Sequence, residues 1–182
     1  MPHIIYYVAV SLDGYIATGE EIPVKLRRAS IDDASELSAL LKSIGWFEFT
    51  NKLLDDEARQ HVKAQLERCL SDDSHSVYVA EADDGNIVGY VSAHWIPYLF
   101  MRGPEGYVSE LFIRGDARAQ GIGRRLLDLV QTEAKRRGCA RLSLINLRSR
   151  ESYQRQFYIK AGWQERADAA NFVRGLDGPS IS

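Results

Sequence analysis

The hexapeptide Arg118-Ala119-Gln120-Gly121-Ile122-Gly123 is the stretch of this chain whose residue types and spacing most directly imply chemistry. It follows the apolar run Leu111-Phe112-Ile113 and opens onto the amphipathic series Arg124-Arg125-Leu126-Leu127. A strand passing through a glycine loop into a helix presents unpaired backbone N–H groups and the positive end of the helix dipole, so it attracts an anion. Gly121 and Gly123 remove side chains that would hold a pyrophosphate away, and Arg118 adds charge and a hydrogen-bonding fork. Arg124 and Arg125 oppose the dipole at the helix start unless an anion is bound there. A P-loop needs Gly-Lys-Ser/Thr at this point, but Gly123 is followed by two arginines. A dinucleotide fingerprint needs a third glycine, where Leu126 stands.

The remaining reading is a resemblance. The loop, with Glu110-Leu111-Phe112-Ile113 before it and Arg124-Arg125-Leu126-Leu127 after it, resembles the R/Q-x-x-G-x-G/A pyrophosphate loop of the GNAT family of N-acetyltransferases. Phe157-Tyr158-Ile159-Lys160-Ala161-Gly162-Trp163 is similar to the aromatic-tyrosine-x-x-x-glycine-aromatic ending of that family's fourth helix. The resemblance spans about residues 24–176. It implies acetyl-CoA as co-substrate, no metal, and direct attack by a primary amine, carried on a small molecule or a peptide. Such a reaction needs a base for the ammonium, donors for the developing oxyanion and an acid for the thiolate.

In that scheme Glu110 is the base. It stands mid-strand among apolar residues, where an ionised carboxylate is costly and its pKa rises; a salt bridge to Arg102 or Arg114 is the structural alternative. Tyr158 is the general acid by resemblance, or else a core tyrosine with a bonded hydroxyl. Leu111, Phe112 and Ile113 would meet the cofactor through their backbone. Arg118, Ala119, Gln120, Gly121, Ile122, Gly123 and Arg124 would hold its phosphates. Glu151 stands where the family often has an asparagine. His94 beside Trp95 could line the acceptor pocket or be structural. The family places the acceptor site at the first helices and at the connection between its third and fourth strands, here residues 45–54 and 96–106. Both are aromatic-rich, and Glu48, Asp55 and Asp56 would suit a cationic amine.

These residues need a scaffold. Residues 24–28 alternate as a half-buried strand; Ser30 caps a helix whose apolar face is Leu37, Leu40, Leu41 and Ile44. Residues 45–50 read as an aromatic loop, and 55–70 as a helix with the stripe Ala58, Val62, Leu66 and Cys69 or Leu70. Strands at 77–82 and 87–95 flank Asp83-Asp84-Gly85-Asn86, a hairpin turn. A strand at 107–113, a helix at 121–137 closed by Gly138, a strand at 141–146, a helix at 149–160 and short strands over 163–176 complete the order. The result is a mixed α/β (α+β) domain over residues 23–176, a mixed, mostly antiparallel central sheet flanked by helices.

At 182 residues, 45% hydrophobic and 26% charged, the chain fits one domain with a substantial core. A net charge of -2 argues against nucleic acid as the main partner. Cys69 and Cys139 form no metal or disulfide pattern and suit a reducing cytoplasm. No apolar run is long enough to span a bilayer. Residues 1–22 stand apart. Residues 4–17 resemble the opening strand and loop of dihydrofolate reductase-like enzymes, but the rest of that family's nucleotide-binding sheet does not follow. They read as a fusion remnant or appended segment whose apolar strand, Ile4 to Val10, pairs with a sheet edge within one subunit or across a homodimer. Residues 177–182 read as a loose tail. A non-catalytic acyl-CoA-binding module of the same fold is the alternative to an enzyme.

Overall fold

The computed structural model describes residues 23–174 and 176. The expectations for residues 1–22 and for the tail at 177–182 lie outside these. The elements are β1 (Val24–Arg28), α1 (Ala34–Ile44), α2 (Glu48–Lys52), α3 (Asp55–Leu70), β2 (His75–Ala82), β3 (Ile87–Ile96), β4 (Glu105–Ile113), α4 (Ile122–Arg136), β5 (Arg141–Leu144), α5 (Glu151–Gln154) and α6 (Phe157–Lys160). The strands form one sheet in the order β1-β2-β3-β4-β5, antiparallel up to β4, with β5 parallel to β4.

Alternation along the strands builds two cores. Val77, Val79, Tyr90 and Phe112 pack with Leu37, Leu40 and Ile44 of α1 and Val62 and Leu66 of α3. Tyr78, Ala80, Val91 and Leu111 pack on the opposite face with Ile122, Leu126, Leu127 and Val130 of α4. The central strands are therefore covered on both sides, which is why β3 is almost wholly buried.

Local chemistry sets the ends of the elements. Asp55, Asp56 and Glu57 occupy the first turn of α3, and the Glu57 carboxylate accepts the Leu54 N–H at 2.9 Å. Gly138 closes α4 in the left-handed region (φ 68°), with Cys139 N–H bonded to Ala134 O at 2.9 Å, a Schellman ending. At the hairpin Gly85 has φ 83°, and Asp84 Oδ1 accepts the Asn86 N–H at 3.0 Å.

Three expectations need correction. The aromatic loop at 45–50 contains the start of α2. Buried Phe47 anchors it edge-on to Phe112 (centroids 5.1 Å apart), and its carbonyl accepts the Asn51 N–H at 2.8 Å. The single helix at 149–160 is two, broken at Gln156, whose φ is 56°. On an unbroken helix Ser152 would sit roughly 120–140° around the axis from Phe157 and Tyr158. All three are buried, and the break permits it. After Trp163, whose N–H bonds Tyr158 O at 2.9 Å, the described residues form no strand. The charged and small residues from Glu165 to Asn171 include no β-branched side chain to pack on a pleated surface, and they are exposed.

Candidate active site

The site is organised by two irregularities of β4. The β4–β5 ladder runs from Glu105 opposite Arg141 to Val108 opposite Leu144 and goes no further. Beyond Val108, β4 continues to Ile113 beside β3, while β5 ends at Leu144, so among the described residues no strand pairs with the other edge of Ser109 to Ile113. The second irregularity is a β-bulge. Ser92 pairs with Glu110, but the next residue, Ala93, pairs with Val108, leaving Ser109 as an extra residue. Ser109 and Glu110 consequently face the same side of the sheet, while Val108, Leu111 and Ile113 face α4.

That shared side is the wall of a cavity of about 370 Å³ between the sheet and α1–α3. Glu110 lies in it and is bonded by Tyr90; burial pushes its carboxyl up to about 7 against the opposing effect of that hydrogen bond. Arg114, one of the partners considered for it, pairs with Asp116 at 2.7 Å. His94 also reaches the cavity. Its Nε2 is 3.0 Å from Ser109 Oγ and its ring lies 4.1 Å from that of His75. Burial, followed by the neighbouring His75, holds its pKa below the usual histidine value, favouring the neutral ring. Because Ser109 Oγ donates to Ser92 O (3.3 Å), it accepts from His94 Nε2–H, which assigns the tautomer.

Tyr158 is on the other face. It is buried in the core with Leu111, Ile113 and Ile122, its ring edge-on to Phe157 (4.9 Å) and Trp163 (6.0 Å). Glu110 and Tyr158 thus lie on opposite sides of the sheet.

The anion loop follows directly. From Ile113 the chain makes a 3-10 turn at Gly115–Ala117 and reaches Arg118, whose Nε donates to Ile113 O at 3.3 Å. Ala119 and Gly121 both have left-handed backbones (φ 65° and 74°), and Gly121 is the N-cap of α4. A left-handed alanine is a strained feature of the kind found where a loop is shaped around a ligand. A Cβ at Gly121 would meet no atom within 4 Å, so the space over the helix start is open. Gln120 Nε2 reaches Asp116 O at 3.4 Å, and Ile122 and Gly123 are buried at the start of α4. Arg124 is half exposed, paired with Asp128 at 3.1 Å and 3.4 Å from Lys160 O. Arg125 turns away to Val24 O at 3.0 Å. At α5, Glu151 pairs with Arg155, and Asn146 accepts a 3.0 Å bond from Ser152. The structure therefore brings Asn146 to the start of α5 despite its distance in sequence.

The acceptor-side expectations are only partly met. Phe47 and Thr50 line the cavity, but no residue of 96–106 does; Leu99 and Phe100 of that connection are exposed. Glu48, Asp55 and Asp56 are also absent from its lining and pair instead with Lys52, Lys42 and Arg59. The wall that sequence reasoning missed belongs to α3: His61, Gln65 and Cys69. Its signal was present, because His61 and Gln65 each directly precede a residue of the apolar stripe, Val62 and Leu66.

Residues 40–162 match the sequence model of the Acetyltransferase (GNAT) family. The chain belongs to that family. A curated relative, Acetyltransferase Atu2258 of Agrobacterium fabrum, is 29% identical over 102 residues, 55% of this chain and 63% of its own length. The chain thus spans less than two thirds of that relative. Among solved structures, a ribosomal-protein-alanine N-acetyltransferase from Brucella melitensis biovar Abortus 2308 superposes with a TM-score of 0.64 at 25% identity, covering 84% of this chain and 99% of the other. Glucosamine-6-phosphate N-acetyltransferase from Arabidopsis thaliana gives a TM-score of 0.67 at 22% identity, covering 85% and 99%. The last likeness concerns the GNAT fold alone.

Proposed function

We propose that this GNAT protein transfers the acetyl group of acetyl-CoA to a primary amine, in the cytoplasm. The observation that carries the proposal is Glu110: a carboxylate poised near neutrality, enclosed in a cavity, on the bulged strand that leads into the anion loop. The loop fits a pyrophosphate, since its two left-handed residues shape the entry to α4 and the space over Gly121 is open. Arg118 and the backbone N–H groups of residues 119–123 would hold the phosphates, and the edge of Leu111 to Ile113 that β5 does not reach would receive the rest of the coenzyme. When bound, acetyl-CoA supplies the activated thioester. Glu110 accepts the proton of the incoming ammonium, directly or through water. Tyr158, from the opposite face, donates a proton to the departing sulfur.

The test compares the wild type with Glu110→Gln in calorimetric acetyl-CoA binding and in thioester consumption with an amine panel. The expected result is binding by both and turnover at least a hundredfold slower in the variant. Binding without turnover on any amine, in the wild type, would instead identify a non-catalytic acyl-CoA-binding module.

A further inference from the structure

The cavity wall also specifies an acceptor. Resting on the reading of Glu110 as the base, we infer that the acceptor is a monoamine with an uncharged, largely apolar body, of the arylalkylamine or alkylamine class. Among the described residues lining the cavity, Glu110 is the only carboxylate, and there is no lysine or arginine. The remaining wall is made by Leu37, Leu41, Phe47, Val62, Leu66 and Val77, interrupted by hydroxyls, by His61, Gln65 and Cys69 of α3, and by a His94 that favours its neutral form.

Each common class of charged acceptor would leave a charge buried without a partner here. A polyamine or aminoglycoside brings several ammonium groups, and the one carboxylate accommodates one of them. An amino acid or a sugar phosphate brings an anion, and the described lining offers it no lysine or arginine. Placing an unpaired ion in such a wall is unfavourable, whereas covering apolar surface there is favourable. The acids that could have made the surroundings attractive to polycations are paired with Lys42, Lys52 and Arg59. Over the α3 side of the cavity, exposed Phe49 packs edge-on against His61 (5.0 Å), adding aromatic surface there.

The step balances. The ammonium gives one proton to Glu110, which releases it to solvent. The amine nitrogen forms the N–C bond with the acetyl carbonyl carbon as the C–S bond breaks, and its second proton leaves with the sulfur. The products are an N-substituted acetamide and free thiol.

The experiment measures kcat/KM for phenethylamine, spermidine, glucosamine 6-phosphate and alanine with the intact protein, alongside calorimetric binding of acetyl-CoA. Phenethylamine is expected to exceed each charged acceptor at least tenfold. A charged acceptor that equals or surpasses it overturns the acceptor class and leaves the acetyltransferase reading intact. Absence of acetyl-CoA binding, or of thioester consumption with every amine, overturns both. Gln65→Glu, a conservative change on the exposed flank of α3, adds a second carboxylate to the lining. It is expected to shift the spermidine-to-phenethylamine ratio upward at least fivefold; an unchanged ratio counts against the wall as the determinant.

Discussion

Glu110 shows how one side chain can be both useful and costly. Its proton is held to about pH 7 because burial disfavours the carboxylate more than the Tyr90 hydroxyl favours it. Below that pH the base is blocked. Wild-type kcat/KM should therefore fall about tenfold per pH unit on the acid side of 7 and level off above it. Glu110→Gln should lose that limb and about 10²–10⁴-fold in rate, the usual worth of a positioned base. A pH–rate profile of both proteins checks this, and an unchanged acid limb in the variant would assign the titration to another group. Tyr158 and the loop residues were legible as motifs, because an aromatic-Tyr-x-x-x-Gly-aromatic string and a glycine loop both carry meaning locally. The cavity neighbours of Glu110 were legible only in part: His94 stood as a pocket candidate, but Tyr90 from β3 and His61 from α3 did not. Long-range pairing decides those neighbours, and a single sequence gives no register.

At the scale of elements, the helix α3 is found where its acidic first turn and apolar stripe place it, and the β2–β3 hairpin follows its Asp-Gly-Asn turn. These elements are set by neighbours a few residues away. The break at Gln156, the bulge at Ser109 and the lack of a strand among the described residues beyond Trp163 are set by burial from afar, and the sequence carries little sign of them. The junction between the anion loop and α4 is a place where both influences meet. Gly121 needs φ 74°, so Gly121→Ala should cost about 1–2 kcal/mol of folding free energy even without coenzyme. Its Cβ would meet open space in the protein, so any further loss, in acetyl-CoA affinity by titration, reports ligand contact at that spot. Equal melting temperatures for variant and wild type would contradict the strained geometry.

For the whole molecule, two glutamates pull stability in opposite directions with pH. At the end of α4, Arg136 and then Arg137 hold the Glu133 carboxyl down to about 2, and Arg137 continues to Asp73 and over the ring of Trp95 (4.9 Å). A depressed pKa contributes stability above the unfolded value near 4.5, and this is lost as pH falls toward 2. Glu110 has the raised value, so its contribution is intact below about 4.5 and is lost as pH rises through 7. Each effect is on the order of 1–3 kcal/mol. Denaturation across pH should show a maximum near 4.5 from these two groups, with stability falling toward pH 2 on one side and toward pH 7 on the other. Glu133→Gln should flatten the acid side, and Glu110→Gln should raise stability at pH 8 but not at pH 4. The reverse pattern would show that the two carboxyls are not held as described.

The bulge in β4 has an arithmetic consequence. With Ser109 present, the strand carries one residue more than its pairing with β3 requires, and the inside–outside alternation is out of step across it. Removing Ser109 altogether would leave Val108 toward α4, Glu110 toward the cavity, Leu111 toward α4 and Phe112 toward α1, so every face would remain correct. The shortened protein should fold, with a melting temperature within a few degrees of the parent, yet the local bend and the hydroxyl that fixes His94 would be gone. Loss of turnover in a chain that melts normally would mean that this extra residue is kept for chemistry, as a deliberate miscount in an otherwise regular ladder. If the deletion leaves turnover unaltered, the miscount serves the sheet alone.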